Sequence, residues 1–152
     1  MTHIAAHGVG LEVPSGWEGR IVRRAPVNPR EQSRAVVHLA SFPMPEARGD
    51  FGVGVTELMR RGDVFVTLFE YGPESVGTPM FAAKGIPTLT TDMFGSRRLQ
   101  RTLPGQIGCQ LFFTADRRPF CLYVVVGSVR YAPALLTETR TVLGAIRIEE
   151  GR

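Results

Sequence analysis

Short runs of alternating apolar and polar residues, separated by turn-forming residues, constrain this chain more than any other feature. Val9, Leu11 and Val13 alternate in this way and are followed at 14–16 by proline, serine and glycine. Successive side chains of a strand point to opposite faces of a sheet, so this spacing predicts a half-buried strand. Further runs rich in β-branched or aromatic residues lie at 35–42, 64–71, 107–115 and 119–128. The pattern indicates a mostly antiparallel sheet.

Two stretches have the spacing of amphipathic helices. In the first, at 50–61, Asp50 is placed to cap the N-terminus, Gly62 follows the last turn, and Phe51, Val55 and Leu58 form one apolar stripe. The second stretch, at 132–144, has a proline suited to the first helical turn. The expected fold is therefore an α+β domain, with a sheet of about six to eight strands flanked by two main helices.

Composition limits the class of protein. A chain of 152 residues with 43% hydrophobic residues fits a single domain, 1–152. Its basic character does not favour nucleic-acid binding, because Lys84 is the only lysine among 18 basic residues, which indicates a compositional bias toward arginine. The start of the chain lacks the features of a signal peptide, and no apolar run is long enough to span a membrane. We therefore expect a cytoplasmic protein.

The two cysteines do not form a recognisable metal or redox motif. Cys109 and Cys121 lie outside any CxxC pair, and two thiols with distant histidines cannot close a zinc site. We expect both to be reduced residues of the core, with no metal and no cofactor. Trp17 follows the first turn and is predicted to be buried, whereas Arg117 and Arg118, near a hairpin tip, are predicted to be solvated.

The segment 72–96 is a long irregular loop with an apolar composition. Its glycines and prolines exclude a long helix or a central strand. Two interpretations remain open: the apolar side chains cover one face of the sheet, or some of them stay accessible and bind a protein partner. The candidate partner-binding residues are Met80, Phe81, Ile86, Met93 and Phe94.

No set of residues has the spacing of a catalytic site. His38 shares its parity with core residues of its strand, Glu70 ends another strand, and Asp92 lies in the long loop. If the loop roofs a cleft, His38, Glu70 and Asp92 are the polar groups that a small-molecule-binding protein or a small enzyme would use there. We assign no catalytic residue.

The opening "GVGLEVPSGW" and the later "ALLTETRTVLGAIRI" resemble the PsbP-like superfamily. That group includes DcrB proteins, lipoproteins and secretion chaperones, and the chain is also similar to small actinobacterial proteins of unknown function. The resemblance implies a sheet flanked by helices that serves as a non-catalytic adaptor or chaperone with a protein partner. It leaves open the identity of the partner and whether the chain forms a homodimer.

Overall fold

Eight β-strands and one α-helix form the regular structure of the part that the computed structural model describes, residues 1–24 and 34–149. The loop predicted at 26–33 and the final residues of a tail predicted at 149–152 lie outside these ranges. The elements in chain order are β1 (Thr2–Ala6), β2 (Val9–Val13), β3 (Glu18–Arg24), β4 (Arg34–Ala40), β5 (Val64–Glu70), β6 (Ile107–Ala115), β7 (Arg118–Val126), α1 (Ala132–Gly144) and β8 (Arg147–Ile148).

The strands form two antiparallel sheets. The three-stranded sheet has the order β1-β2-β8, and the five-stranded sheet has the order β3-β4-β5-β7-β6. In the β6–β7 hairpin, Ala115 pairs with Arg118, so the turn contains only Asp116 and Arg117. Both turn residues have positive φ angles, 49° and 64°, as a two-residue turn that matches strand twist requires.

Each face of the five-stranded sheet has its own core, and the edge strand β3 is largely exposed. We call the side toward the three-stranded sheet and α1 the first face. Its core contains Leu11 of β2, Leu68 of β5 and Leu136 of α1. The opposite side, here the second face, has a smaller core that includes Phe65 and Tyr123. Residues from the connections at 41–63 and 71–106, such as Val55 and Leu99, complete this second core.

The prediction of an α+β domain with two main helices is wrong, because the described chain contains only one α-helix. The residues 50–61 form an irregular connection whose only helical part is a 3-10 turn at Thr56–Leu58. Gly52 and Gly54 have φ angles of +91° and +87°, whereas an α-helix needs φ near −63°. The apolar stripe is still buried in part, since Val55 and Phe51 pack on the second face.

The helix at Ala132–Gly144 occupies the range that the sequence predicts. Its apolar side, which includes Leu136 and Val142, packs on the first face. Trp17 is buried, with 8% of its surface exposed. Its indole nitrogen donates a 2.6 Å hydrogen bond to the Glu138 carboxylate, so the turn after β2 is tied to the helix.

Candidate functional site

A continuous row of aromatic rings crosses the second face. We call it the aromatic strip, and it consists of Phe51, Phe69, Tyr71, Phe81 and Phe112. Neighbouring ring centroids are 5.0 Å apart from Phe51 to Phe69, 5.2 Å from Phe69 to Tyr71, 5.3 Å from Tyr71 to Phe81, and 5.5 Å from Phe81 to Phe112. At such spacings, two aromatic rings in an offset or edge-on arrangement attract each other electrostatically.

Strand alternation explains how the strip forms. In β5, Val64, Val66 and Leu68 face the first core, which places Phe65 and Phe69 on the opposite side. The same alternation in β6 turns Phe112 toward the second face, where Tyr71 packs as well. Phe51 comes from the connection before β5 and Phe81 from the connection after it. The strip therefore joins two loops across the sheet.

The strip is only partly shielded from solvent. Phe69 and Phe81 are buried, whereas Phe51, Tyr71 and Phe112 are half-buried. Met80, the neighbour of Phe81 in sequence, has 62% of its surface exposed. The Arg24 guanidinium lies 5.1 Å from the centre of the Phe69 ring. Burial raises the pKa of the Tyr71 hydroxyl, with the Cys121 thiol adding to that rise and Arg24 opposing it, so Tyr71 is a neutral hydroxyl at physiological pH.

Of the five predicted partner-binding residues, only two belong to this neighbourhood. Met80 is exposed and Phe81 is a buried member of the strip. Ile86, Met93 and Phe94 are half-buried and pack against the first core. The structure thus separates the predicted set: three side chains cover the core, and one is open to solvent beside the strip.

Hydrogen bonds fix the long loop to the sheet and to the helix. The Thr114 N–H of β6 donates a 2.8 Å bond to the Ala83 carbonyl, and the Thr114 carbonyl accepts a 2.9 Å bond from the Gly85 N–H. Farther along, Gly95 and Gly108 exchange two bonds of 3.0 and 3.1 Å. On the helix side, the Arg140 side chain donates a 2.6 Å bond to the Leu89 carbonyl. These contacts position Met80 and Phe81 on an anchored segment.

His38, Glu70 and Asp92 do not come together. His38 lies on the second face, where its Nε2 donates to the Asp50 carbonyl and its Nδ1 accepts from Arg48 Nε, both at 2.8 Å. Burial lowers the pKa of His38, and Arg48 acts in the same direction against the opposing Asp50 carbonyl. Both ring nitrogens are thus used by the neutral imidazole, which holds the connection before β5 in place.

Glu70 and Asp92 are also accounted for by other contacts. Both oxygens of Glu70 accept hydrogen bonds from Arg118, at 2.8 and 2.9 Å, and one also accepts from the Ala35 N–H. Asp92 is exposed and accepts a short hydrogen bond from the Thr90 hydroxyl. These three polar groups therefore do not line a common cleft under the long loop.

The structure has a groove on the outer face of the three-stranded sheet, with a volume of about 580 Å³. Ala5, Gly10 and Arg147 lie opposite one another across its three strands, and Ala5 and Gly10 give the floor two small residues. His3 Nδ1 and a Glu12 oxygen are 2.7 Å apart at one side. A smaller cavity of about 100 Å³ lies between the long loop and α1, and Ile86 and Leu143 are among the residues that line it.

The described residues lack both a cluster of metal-binding side chains and a helix long and apolar enough to span a membrane. Residues 1–24 and 34–149 contain no group of three or more histidine, cysteine or acidic side chains able to hold a metal ion. Over those same ranges, no helix has both the length and the apolar character needed to cross a bilayer. The rings of the aromatic strip offer apolar contact, and the Tyr71 phenol adds a hydrogen-bonding group.

The sequence interpretation missed most of the strip. The sequence patterns predict a helix at Phe51 and strands at Phe69, Tyr71 and Phe112, and they indicate no functional role for these rings. Their shared parity along β5 and β6 is a sequence signal for a common face, but only the strand order shows that β7 separates those strands.

Comparison with family models, with curated proteins and with solved structures found no match for the chain.

Proposed function

We propose that this chain is a non-catalytic protein-binding module and that its partner contacts the aromatic strip, with Met80 at the border. The observation that carries the proposal is the unbroken row of rings in which Phe51, Tyr71 and Phe112 keep part of their surface exposed. The resemblance to PsbP-like proteins, which mostly bind other proteins, points in the same direction.

The composition of this surface suits a protein partner. Aromatic residues, methionine and arginine are enriched where protein interfaces are fully buried, and the strip with Met80 and Arg24 combines all three. The rings are rigid and already packed, so little conformational freedom is lost on binding. Met80 is flexible and exposed, which allows it to adapt to the partner's shape.

The first test is affinity capture from the native host with matched variants. Met80→Ser removes the exposed apolar side chain beside the strip. Val129→Ser is the control. Val129 is equally exposed, at 63%, but it lies in the connection after β7, whereas Met80 lies in the connection between β5 and β6. We expect both variants to melt with the wild type, and a specific partner to be retained by the wild type and by Val129→Ser only.

A direct titration then measures the contact. With the captured partner purified, Met80→Ser is expected to weaken binding about tenfold or more, as truncation of an interface hot spot does. Phe81 is unsuitable for this test, since it is buried and its loss would destabilise the domain. Equal affinity of the wild type and Met80→Ser for every captured protein would exclude this surface.

A second candidate function is small-molecule binding in the groove on the three-stranded sheet. Its volume of about 580 Å³ is within the usual range of ligand pockets, roughly 300–1,000 Å³. A Cβ added at Gly10 would lie 3.8 Å from His3 and 3.9 Å from Ala5, an ordinary contact. Gly10→Val should therefore fill the floor without unfolding the protein. If Gly10→Val abolishes the binding of a ligand found by screening and Met80→Ser does not, that ligand binds in this groove.

A further inference from the structure

Two connections meet at the end of the five-stranded sheet opposite the aromatic strip. Gly127, which follows β7, donates a 2.9 Å backbone hydrogen bond to Asp63, which precedes β5. A Cβ at Gly127 would lie 1.9 Å from the Arg60 carbonyl oxygen, so only glycine allows this approach. We call the exposed surface of these two connections the basic tip, formed by Leu58, Arg60, Arg61, Val129, Arg130 and Tyr131.

The basic tip presents large apolar side chains to water. Leu58 has 58% of its surface exposed, Val129 63% and Tyr131 44%. They lie on connections, and neither the groove nor the smaller cavity described above includes them. Such side chains project outward and would be covered by a soft or concave partner.

The charge of the tip is positive. Arg60, Arg61 and Arg130 are exposed there. Two carboxylates lie nearby: Asp63 accepts a 2.8 Å hydrogen bond from the Arg60 backbone N–H, and Glu57 is paired with Arg101 at 2.7 Å. With the Glu57 charge matched by Arg101, three arginines face one remaining carboxylate. An anionic partner is therefore favoured.

Exposed aliphatic side chains interleaved with arginines are more suited to a lipid surface than to nucleic acid. Arginine binds phosphate in both cases, but leucine and valine gain only where acyl chains can receive them. Arginine stems and tyrosine rings are also stable at the boundary between headgroups and acyl chains. We propose that the basic tip docks on the surface of a membrane rich in anionic lipid, without spanning it.

Vesicle flotation with the full chain tests this proposal. The probes are phosphatidylcholine vesicles with and without phosphatidylserine. We expect binding only to the anionic vesicles and a decrease with added salt. Arg130→Gln should weaken the partition about fivefold, the effect of about one charge near such a surface. Lys84→Gln is the control because it also removes one positive charge. Lys84 lies beside Thr114, at the end of β6 away from the basic tip, so binding should be unchanged.

A second pair of variants tests the apolar contribution. Val129→Ser should reduce flotation with anionic vesicles severalfold, and Met80→Ser, which removes an equally exposed side chain, should not. Inorganic phosphate at the concentration of the lipid headgroups should not compete if a surface rather than a free anion is recognised. Equal flotation with neutral vesicles, or equal flotation of Val129→Ser and the wild type, would overturn the proposal. So would binding to an RNA or an acidic protein with no binding to vesicles.

Discussion

Arg118 of β7 and Glu70 of β5 form a two-point ion pair within the five-stranded sheet, and Arg118 also bonds to the three-stranded sheet. Arg118 Nε and Nη2 donate to the two Glu70 oxygens, at 2.8 and 2.9 Å. The remaining N–H groups of Arg118 donate to the carbonyls of His7, Gly8 and Glu149, in the β1–β2 turn and after β8. All five guanidinium donors are thus used, and one side chain connects β5 and β7 to the three-stranded sheet.

We predict that Arg118→Ala lowers the free energy of unfolding by about 3–5 kcal/mol, the usual cost of breaking a buried pair by removing one partner. The side chains of Arg118 and Glu70 are only 6% and 13% exposed, so solvent screens the pair little. Urea denaturation measures the loss. Arg130→Ala, at an exposed arginine, is the control and should be near neutral. The double variant Arg118→Met with Glu70→Leu should be more stable than Arg118→Met alone, since it leaves no unpaired carboxylate.

The contact between Trp17 and Glu138 supports a second stability prediction. Trp17→Ala should cost roughly 3–5 kcal/mol, because it removes a large buried ring. Glu138→Ala removes only the acceptor of the indole N–H and should cost about 1–2 kcal/mol. The same denaturation experiment ranks the two variants. A larger loss for Glu138→Ala than for Trp17→Ala would show that ring burial is not the main contribution.

Cys109 and Cys121 are on adjacent strands but on opposite faces of the five-stranded sheet. Cys109 pairs in register with Val124, and Cys121 with Phe112. Cys109 belongs to the first core and Cys121 to the second, so the sheet itself separates the two free thiols.

Burial raises the pKa of each of these thiols to about 12, and the thiolate is the reactive form. We therefore predict that Ellman's reagent reacts slowly with the native protein at pH 8 and counts two thiols in denaturant. Anaerobic purification guards against oxidation during preparation. Fast labelling of the native protein would contradict the buried positions.

His38 gives a pH prediction whose sign follows from its lowered pKa. The folded state favours the neutral ring mainly because the ring is buried, and the nearby Arg48 charge acts in the same direction. Its stabilising contribution is present above the unfolded value of 6.5 and is lost as pH falls through the lower folded pKa. The urea midpoint should therefore decrease as pH is lowered from neutral toward about 5. His38→Gln should flatten this dependence, and His3→Gln, at an exposed position, should preserve it.

Local patterns predicted individual elements better than their assembly. Alternation located the strand that carries Leu11, β-branched and aromatic composition located the strand that carries Leu68, and helical spacing located α1. The prediction that Arg118 is solvated is wrong, because the side chain is buried. The hairpin turn needs only Asp116 and Arg117. The next residue therefore begins β7, on the same side as Phe120 and Leu122. That outcome depends on turn geometry and strand order, which involve residues distant in sequence.

The site was predictable in part for the same reason. The apolar composition of 72–96 left open whether its side chains cover the sheet or bind a partner, and in the structure Phe81 and Leu89 are buried. Which of its side chains remain exposed depends on where the loop crosses the sheet. The exposure of Met80 and the burial of its neighbour Phe81 are therefore properties of the assembled fold.

The irregular connection in place of the predicted helix at 50–61 yields a prediction about three glycines. Gly52→Ala should destabilise most. Its φ of +91° disfavours any side chain, and a Cβ would lie 2.7 Å from the buried Phe65 ring. Gly54→Ala shares the positive φ but would meet its nearest atom only at 3.4 Å, so its cost should be about 1–3 kcal/mol, that of backbone strain alone.

Gly62→Ala completes the series as the matched control. Gly62 has no atom within 4 Å of an added Cβ, and its φ lies outside the left-handed region. The substitution should be neutral or should stabilise the protein by about 0.4–1 kcal/mol, because alanine restricts the unfolded chain. If 50–61 were instead a helix ended by Gly62, the order would reverse: alanine at 52 and 54 would stabilise the protein and alanine at 62 would weaken it. Urea midpoints of the three variants therefore distinguish the two structures of this segment.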